Sequence, residues 1–136
     1  MRLLLSTVIE KLKKRRLDHD ASKLVSPELE GFDEFTPKLR DLTYGSPEYE
    51  EARAGLGVVL VHHYAHNSHH PEHYEHGVRG MSLLDLLEMV CDWKAATLRH
   101  ADGDIKKSVE INQKRFSYSD ELKDIIVNTL KELGVY

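Results

Sequence analysis

Apolar residues at positions 4, 5, 8, 9, 12 and 17 recur near the 3.6-residue spacing of an amphipathic helix, which predicts a first helix over Leu3–Leu17. Three Ser/Thr-Pro steps then read as helix starts, because proline fits the first helical turn, where its missing N–H is no loss. They are Ser26-Pro27 with Glu28 in the first turn, Thr36-Pro37, and Ser46-Pro47-Glu48. From Pro47 the pattern predicts one long helix toward His70, ended or restarted by Pro71. Gly55 and Gly57 weaken it by about 1 kcal/mol each relative to alanine, and close packing against a neighbouring helix accounts for them. Residues 72–80 read as a loop with two glycines. Ser82 caps a strong helix from Leu83 to about His100, with Asp85 placed for a capping box.

Residues 101–104 make a turn, Ile105 to Gln113 a weaker helix, and Asn112, Arg115 and Phe116 fall in a polar-then-aromatic loop of no evident purpose. Ser119 opens the last helix, whose Leu122, Ile125, Ile126, Leu130 and Leu133 form one apolar stripe. No stretch alternates apolar and polar residues as a strand would, and there are no repeats. The predicted fold class is all-α: one helical-bundle domain over residues 1–136.

Composition narrows the class of function. With 40% hydrophobic and 31% charged residues the chain is an ordinary soluble domain. A net charge of −4 argues against a general nucleic-acid binder. The local basic run Lys11, Lys13, Lys14, Arg15 and Arg16 is either a solvated helix face or a patch that attracts phosphate. The single cysteine, Cys91, excludes an internal disulfide, fits a reducing compartment, and, lacking a basic neighbour, reads as buried. The start has no signal-peptide pattern, and no run nears the ~18 apolar residues that span a bilayer. The chain therefore reads as cytoplasmic, with no membrane partner.

Seven of the nine histidines lie between positions 62 and 76: His62, His63, His66, His69, His70, His73 and His76. A buried neutral imidazole must satisfy two polar nitrogens, so such a concentration points to metal or acid–base work rather than to packing. At about 100° per residue, His63, His66 and His70 share one helix face, and His62, His66 and His69 form an overlapping triple. Either could bring two nitrogens to one cation, as the i, i+4 pairing of zinc proteases does. A second, acidic element lies after Ser82, where Asp85, Glu88 and Asp92 share one flank of an otherwise apolar helix. They are either a solvated face or, with Asp92, the completion of a histidine metal site. The third element is Asp18-His19-Asp20-Ala21-Ser22-Lys23, whose adjacent His and Asp can chelate one metal.

Together these segments resemble a known pattern. His19-Asp20-Ala21-Ser22-Lys23 resembles the His-Asp-x-x-Lys signature of the HD-domain superfamily of metal-dependent phosphohydrolases. His69-His70-Pro71-Glu72 is similar to the His-His-Glu element of one branch, and residues 86–92 resemble the helix carrying its late aspartate. Asp18 to Lys23, Asn67 to Tyr74 and Met81 to Ala95 also resemble an uncharacterised family of small phage and bacterial proteins. Superfamily members usually carry a further histidine before the doublet. Residues 1 to 18 contain none, so either the start is shortened or a clustered histidine substitutes.

The resemblance implies an HD-like bundle holding one or two divalent ions, with His19, Asp20, His63, His70 and Asp92 as ligands. Nitrogen with carboxylate suits Mn, Fe, Co, Ni or Zn. It implies catalytic roles for Lys23, His69 and Glu72: Glu72 or His69 to shuttle a proton, Lys23 to meet a substrate phosphate. Lys94 and Arg99 are further cationic candidates or plain helix-surface charge. Tyr44, Tyr49, Tyr64 and Tyr74 either pack or stack on a base, and Trp93 reads as core. The implied function is hydrolysis of a nucleotide or related small phosphate ester. A di-iron oxygenase on the same scaffold and a non-catalytic metal-binding or interaction protein remain alternatives, and such relatives often self-associate as homo-oligomers.

Overall fold

Two of the three Ser/Thr-Pro steps start helices and one does not. The computed structural model describes residues 1–43, 45–99 and 101–136, and contains seven α-helices and no strand among them. Tyr44 and His100 lie outside the described residues. Helix α1 spans Arg2–Asp18, α2 Glu28–Arg40, α3 Pro47–Ala54, α4 Gly57–His66, α5 Leu83–Thr97, α6 Ile105–Phe116 and α7 Asp120–Glu132. Pro37 lies inside α2, so Thr36-Pro37 is no boundary. The helix is already under way from Glu28, and a proline near its end gives up only one backbone bond. Ser46 does cap α3, accepting the Tyr49 N–H at 3.1 Å.

The long helix expected from Pro47 toward His70 is broken twice. Gly55 ends α3, α4 restarts at Gly57, and α4 stops at His66 with Asn67 extended. The glycine explanation holds at one position only. A Cβ on Gly55 would lie 2.8 Å from Phe35, whereas one on Gly57 would meet nothing. A closer glycine contact between helices is elsewhere: a Cβ on Gly31 of α2 would lie 2.3 Å from Val59 of α4, which sets how near those helices approach. The loop over residues 72–80 contains two 3-10 turns, Pro71–His73 and Gly77–Gly80. The supposed loop at 112–116 is the last part of α6, with Asn112 buried.

The apolar core belongs to the C-terminal half. Met89 and Val90 of α5, Ile105 and Val109 of α6, Tyr118, and Ile126 and Leu130 of α7 pack together, with Trp93 partly buried against them. Trp93 lies parallel to Phe116 and near Tyr118, each at 6.3 Å between rings. Only part of the α7 stripe is used, since Ile125 and Leu133 stay exposed. Helix α1 has no buried residue, and Leu4, Leu5, Val8 and Ile9 of its apolar stripe face outward. Among the described residues no helix is long and apolar enough to cross a membrane.

Candidate metal centre

Two chain reversals build the centre. His19 leaves the α1 helix, and Asp20 takes a left-handed conformation (φ 56°, ψ 20°). Aspartate tolerates that region better than most residues, at a cost on the order of 1 kcal/mol. A 3-10 turn over Ala21–Leu24 follows, with the Lys23 N–H donating to the Asp20 carbonyl at 2.9 Å. The second reversal is at Asn67, whose amide donates to the His63 carbonyl at 2.8 Å and to Ser22 Oγ at 2.7 Å. It ties the end of α4 to the 3-10 turn and lets the chain fold back, so that His69 and His70 return to His63.

Four side chains then converge. Asp20 Oδ1 lies 3.4 Å from His63 Nε2 and 3.4 Å from His69 Nε2, while His63 Nε2 and His70 Nε2 are 2.9 Å apart. A second set overlaps the first: His19 Nε2 lies 3.6 Å from Asp20 Oδ2 and 3.7 Å from Asp92 Oδ1. Two ligands each about 2.1 Å from one cation stand about 3.0 Å apart at a right angle and about 3.4 Å apart at a tetrahedral angle. The spacings of the first set match those values. Among the described residues, Asp20 Oδ1 and His69 Nε2 are the two buried side-chain atoms with no hydrogen-bond partner. A buried polar atom without a hydrogen bond costs about 1–3 kcal/mol, and a divalent cation between these two would satisfy both.

The surrounding shell fixes the rings. Glu28, fully buried, accepts from His63 Nδ1 at 2.7 Å on Oε2 and from His62 Nδ1 at 2.7 Å on Oε1. Ser22 Oγ donates to the same carboxylate at 2.9 Å. Burial pushes the Glu28 carboxyl up, but these three bonds outweigh it and hold it below its ordinary value. Glu88 Oε1 lies 2.9 Å from His19 Nδ1. Carboxylates on Nδ1 turn Nε2 of His63 and of His19 toward the centre, the arrangement that metal-ligating histidines adopt. Burial lowers His69, and it lowers His70 to about 3 together with the neighbouring His69 and His63. Both are thus neutral, the form that binds metal. His19 is raised to about 9 by Asp92, against burial and with help from Glu88 and Asp20. Asp92 is held down at about 2 by His19, His69 and His70 despite its burial.

The acidic flank of α5 divides its work. Asp85 is not at the centre. Its carboxylate accepts from the Ser82 N–H, Ser82 Oγ, Tyr74 Oη, Ser68 Oγ and Arg15, at 2.6 to 2.9 Å. With the return bond from the Asp85 N–H to Ser82 Oγ it completes the expected capping box. Arg15 also donates to Glu88 at 2.7 Å, so α1 is held to α5 by ion pairs rather than by buried apolar contacts. The donors hold the Asp85 carboxyl well below its ordinary range against the opposing effect of burial. A carboxyl lowered in the folded state stabilises fully above its unfolded pKa of about 3.9, and that stability is lost as pH falls toward the folded value. Asp85→Asn is therefore expected to cost about 3 kcal/mol at pH 7 in urea unfolding, with the gap to the parent narrowing below about pH 4.

The other expected residues are distributed as follows. Lys23 Nζ pairs with Asp20 Oδ2 at 2.6 Å and lies 5.1 Å above the Phe32 ring, beside the centre. Glu72 pairs with Arg115 at 2.6 Å and belongs to none of the converging groups among the described residues. His66 does not share a face with His70, because α4 ends there; it stacks on His62 instead. His73 Nδ1 donates to the Tyr64 carbonyl at 2.7 Å and is exposed. Tyr74 is engaged with Asp85, Tyr64 sits 5.1 Å from the His70 ring, and Tyr44 lies outside the described residues. The basic run is split, with Lys13 and Lys14 paired to Glu10 and Asp18 on the surface. Cys91 is exposed rather than buried, because its side of α5 faces a groove and not the apolar core. Two residues of the site went unassigned in the sequence, Glu28 and Glu88. Glu28 had a signal only as the first acidic residue after Pro27.

That groove, about 430 Å³, runs between α1 and α5 and reaches the centre at His19, Glu88 and Asp92. Leu12, Leu87 and Ala95 form apolar walls and Arg16 lies along it, whereas Lys94 and Arg99 do not line it. Fold and site together define an all-helical protein with an interior histidine–carboxylate cluster able to hold a divalent cation. The chain belongs to a family of unknown function (DUF5662), whose model matches residues 1–132. No curated protein and no solved structure matches it.

Proposed function

We propose that the protein is a metal-dependent phosphohydrolase of HD-like type, acting on a nucleotide or a related small phosphate ester. The observation that carries this reading is the facing pair of unpartnered buried atoms, Asp20 Oδ1 and His69 Nε2, ringed by His63 and His70. The resemblance of residues 19–23 to the His-Asp-x-x-Lys signature and the all-helical architecture both support it. Asp20, His63, His69 and His70 would hold one ion, and His19, Asp92 and the second oxygen of Asp20 a second. A bound cation would supply an acidified water and charge stabilisation on a phosphoryl oxygen.

The chain's own residues do the rest. Glu28 and Glu88 accept from Nδ1 of His63 and His19, so that Nε2 of each faces the centre, and His19, held protonated by Asp92, Glu88 and Asp20, would release its Nε2 proton on taking up metal. Lys23 keeps a positive charge beside Asp20, where a phosphate would approach. Leu12, Leu87 and Ala95 shield the organic part of the ester from water, and Arg16 faces its remaining charge.

The test is phosphate release from a panel of nucleotides and simple phosphomonoesters, using chelated protein reloaded with Mn, Fe, Co, Ni or Zn. Turnover that requires the added metal is expected. Saturable metal binding with no turnover across the panel would replace this reading with a binding protein, and iron-dependent oxygen uptake would replace it with an oxygenase.

A further inference from the structure

The polar groups of the groove between α1 and α5 are already committed to one another. Arg15 donates to Asp85 and to Glu88, each at 2.7 Å, and Glu88 lies 2.9 Å from His19 Nδ1. Asp92 lies 3.7 Å from His19 Nε2. Among the described residues, the rest of the lining is Leu12, Leu87, Ala95, Arg16 and the Cys91 thiol, a weak donor, with no hydroxyl or amide side chain. A base or a sugar placed there would bury N–H, C=O and O–H groups without partners, which is unfavourable for each one. Helix α1 extends the apolar wall. At about 100° per residue, Leu5, Ile9, Leu12 and Arg16 follow one another along a single face. Leu12 lines the groove, while Leu5 and Ile9 carry the same face beyond it as exposed apolar side chains. At the other end Arg16 stands three residues before His19 and has no ion-pair partner among the described residues. Ile9 and Arg16 are seven residues apart, about 10 Å, the length of an extended eight-carbon chain.

We infer that, within the phosphohydrolase reading on which this rests, the substrate is the phosphate monoester of a long hydrocarbon chain. Its phosphate lies at the centre beside Arg16, and its chain runs along the α1–α5 groove toward Ile9. Hydrolysis breaks the phosphorus–oxygen bond to the alkyl group. The oxygen of water joins the phosphorus and a proton passes to the departing alkoxide, so the products are inorganic phosphate and an alcohol. Methylenes taken out of water against Leu12, Leu87 and Ala95 supply affinity that grows with chain length, and Arg16 meets a phosphate charge. A nucleoside gains little from the same walls, because its polar edges find no partners on them.

The experiment uses the full chain reloaded with Zn²⁺ and measures the affinity of butyl-, hexyl- and octylphosphonate, which cannot be hydrolysed, by titration calorimetry. Adenosine monophosphate serves as the nucleotide. Affinity is expected to rise about two- to fourfold per added methylene, with octylphosphonate bound more tightly than the nucleotide. Ala95→Trp, which fills the groove, should abolish the dependence on chain length, with helix content unchanged by circular dichroism. Ile9→Ser, at an exposed position, should weaken octylphosphonate at least about twofold and leave butylphosphonate unchanged, and it decides the matter if the tryptophan disturbs folding. Affinity that does not rise with chain length, a rise that survives these substitutions, or tighter binding of the nucleotide would overturn the inference. Chain-length-dependent binding with no phosphate released from octyl phosphate would leave the hydrocarbon groove standing and refute the hydrolase reading. Faster release from adenosine monophosphate than from octyl phosphate would keep that reading and overturn the hydrocarbon substrate.

Discussion

Replacing Asp20 with asparagine is expected to weaken retention of the interior cation at least about 100-fold and to abolish metal-dependent phosphate release. Asp20 is where the two converging groups meet, with Oδ1 toward His63 and His69 and Oδ2 toward His19. Asparagine removes the negative charge and one acceptor from that junction while changing the volume hardly at all. It also tolerates the left-handed backbone at least as well as aspartate, so the reversal after α1 should persist. The loss is therefore chemical and not a loss of fold. Elemental analysis of the purified variant and circular dichroism check both halves, and an Asp20→Asn protein that held the inner cation as tightly as the parent would refute the centre.

The second large effect is expected at a residue that touches no cation at the inner site. Glu28→Gln should lower inner-site metal affinity by about 10- to 100-fold and stability by about 2–4 kcal/mol. Glu28 is fully buried and accepts three bonds, from His62, His63 and Ser22. A glutamine amide has one acceptor oxygen, and its NH₂ group would be turned against a ring N–H or the Ser22 hydroxyl. His63 then loses the bond that fixes its tautomer. Urea unfolding and Zn²⁺ competition measure the two effects separately. Unchanged values in both would mean that Glu28 does not orient His63.

The helices were legible where a local signal decides them. Ser46, Ser82 and Ser119 each accept from the backbone N–H three residues on, and each starts a helix where the sequence reading placed it. Thr36-Pro37 misled because a proline near the end of a helix differs in no local way from one at its start. The doublet His19-Asp20 and the returning His70 were readable as types and spacing. Their meeting was not, because it depends on the bend at Asn67, which ends α4 four residues early. The helical-wheel triples assumed a straight helix, and His66 accordingly faces His62 instead of His70. Glu28 escaped notice for a related reason. A glutamate in the first turn of a helix is ordinary, and nothing local says that α4 will bury it completely. Cys91 shows the reverse error, since its apolar neighbours in sequence face the core while it faces the α1 groove.

The division of the interior sets how the molecule holds together. Among the described residues α5, α6, α7 and Tyr118 supply seven of the eight buried apolar side chains, and the segment from α1 to α4 supplies only Leu56. What α1 to α4 and the Asn67 bend place inside is Glu28, His63, Asn67 and His69, groups whose burial is favourable only while each keeps its partner. Free energy released on taking up a cation there is the same free energy that fastens α1, α2 and α4 onto α5. Stripping a bound ion would leave the C-terminal helices standing and let the amino-terminal ones open locally, so the segment that carries the candidate centre would also be the one whose order depends on a cation.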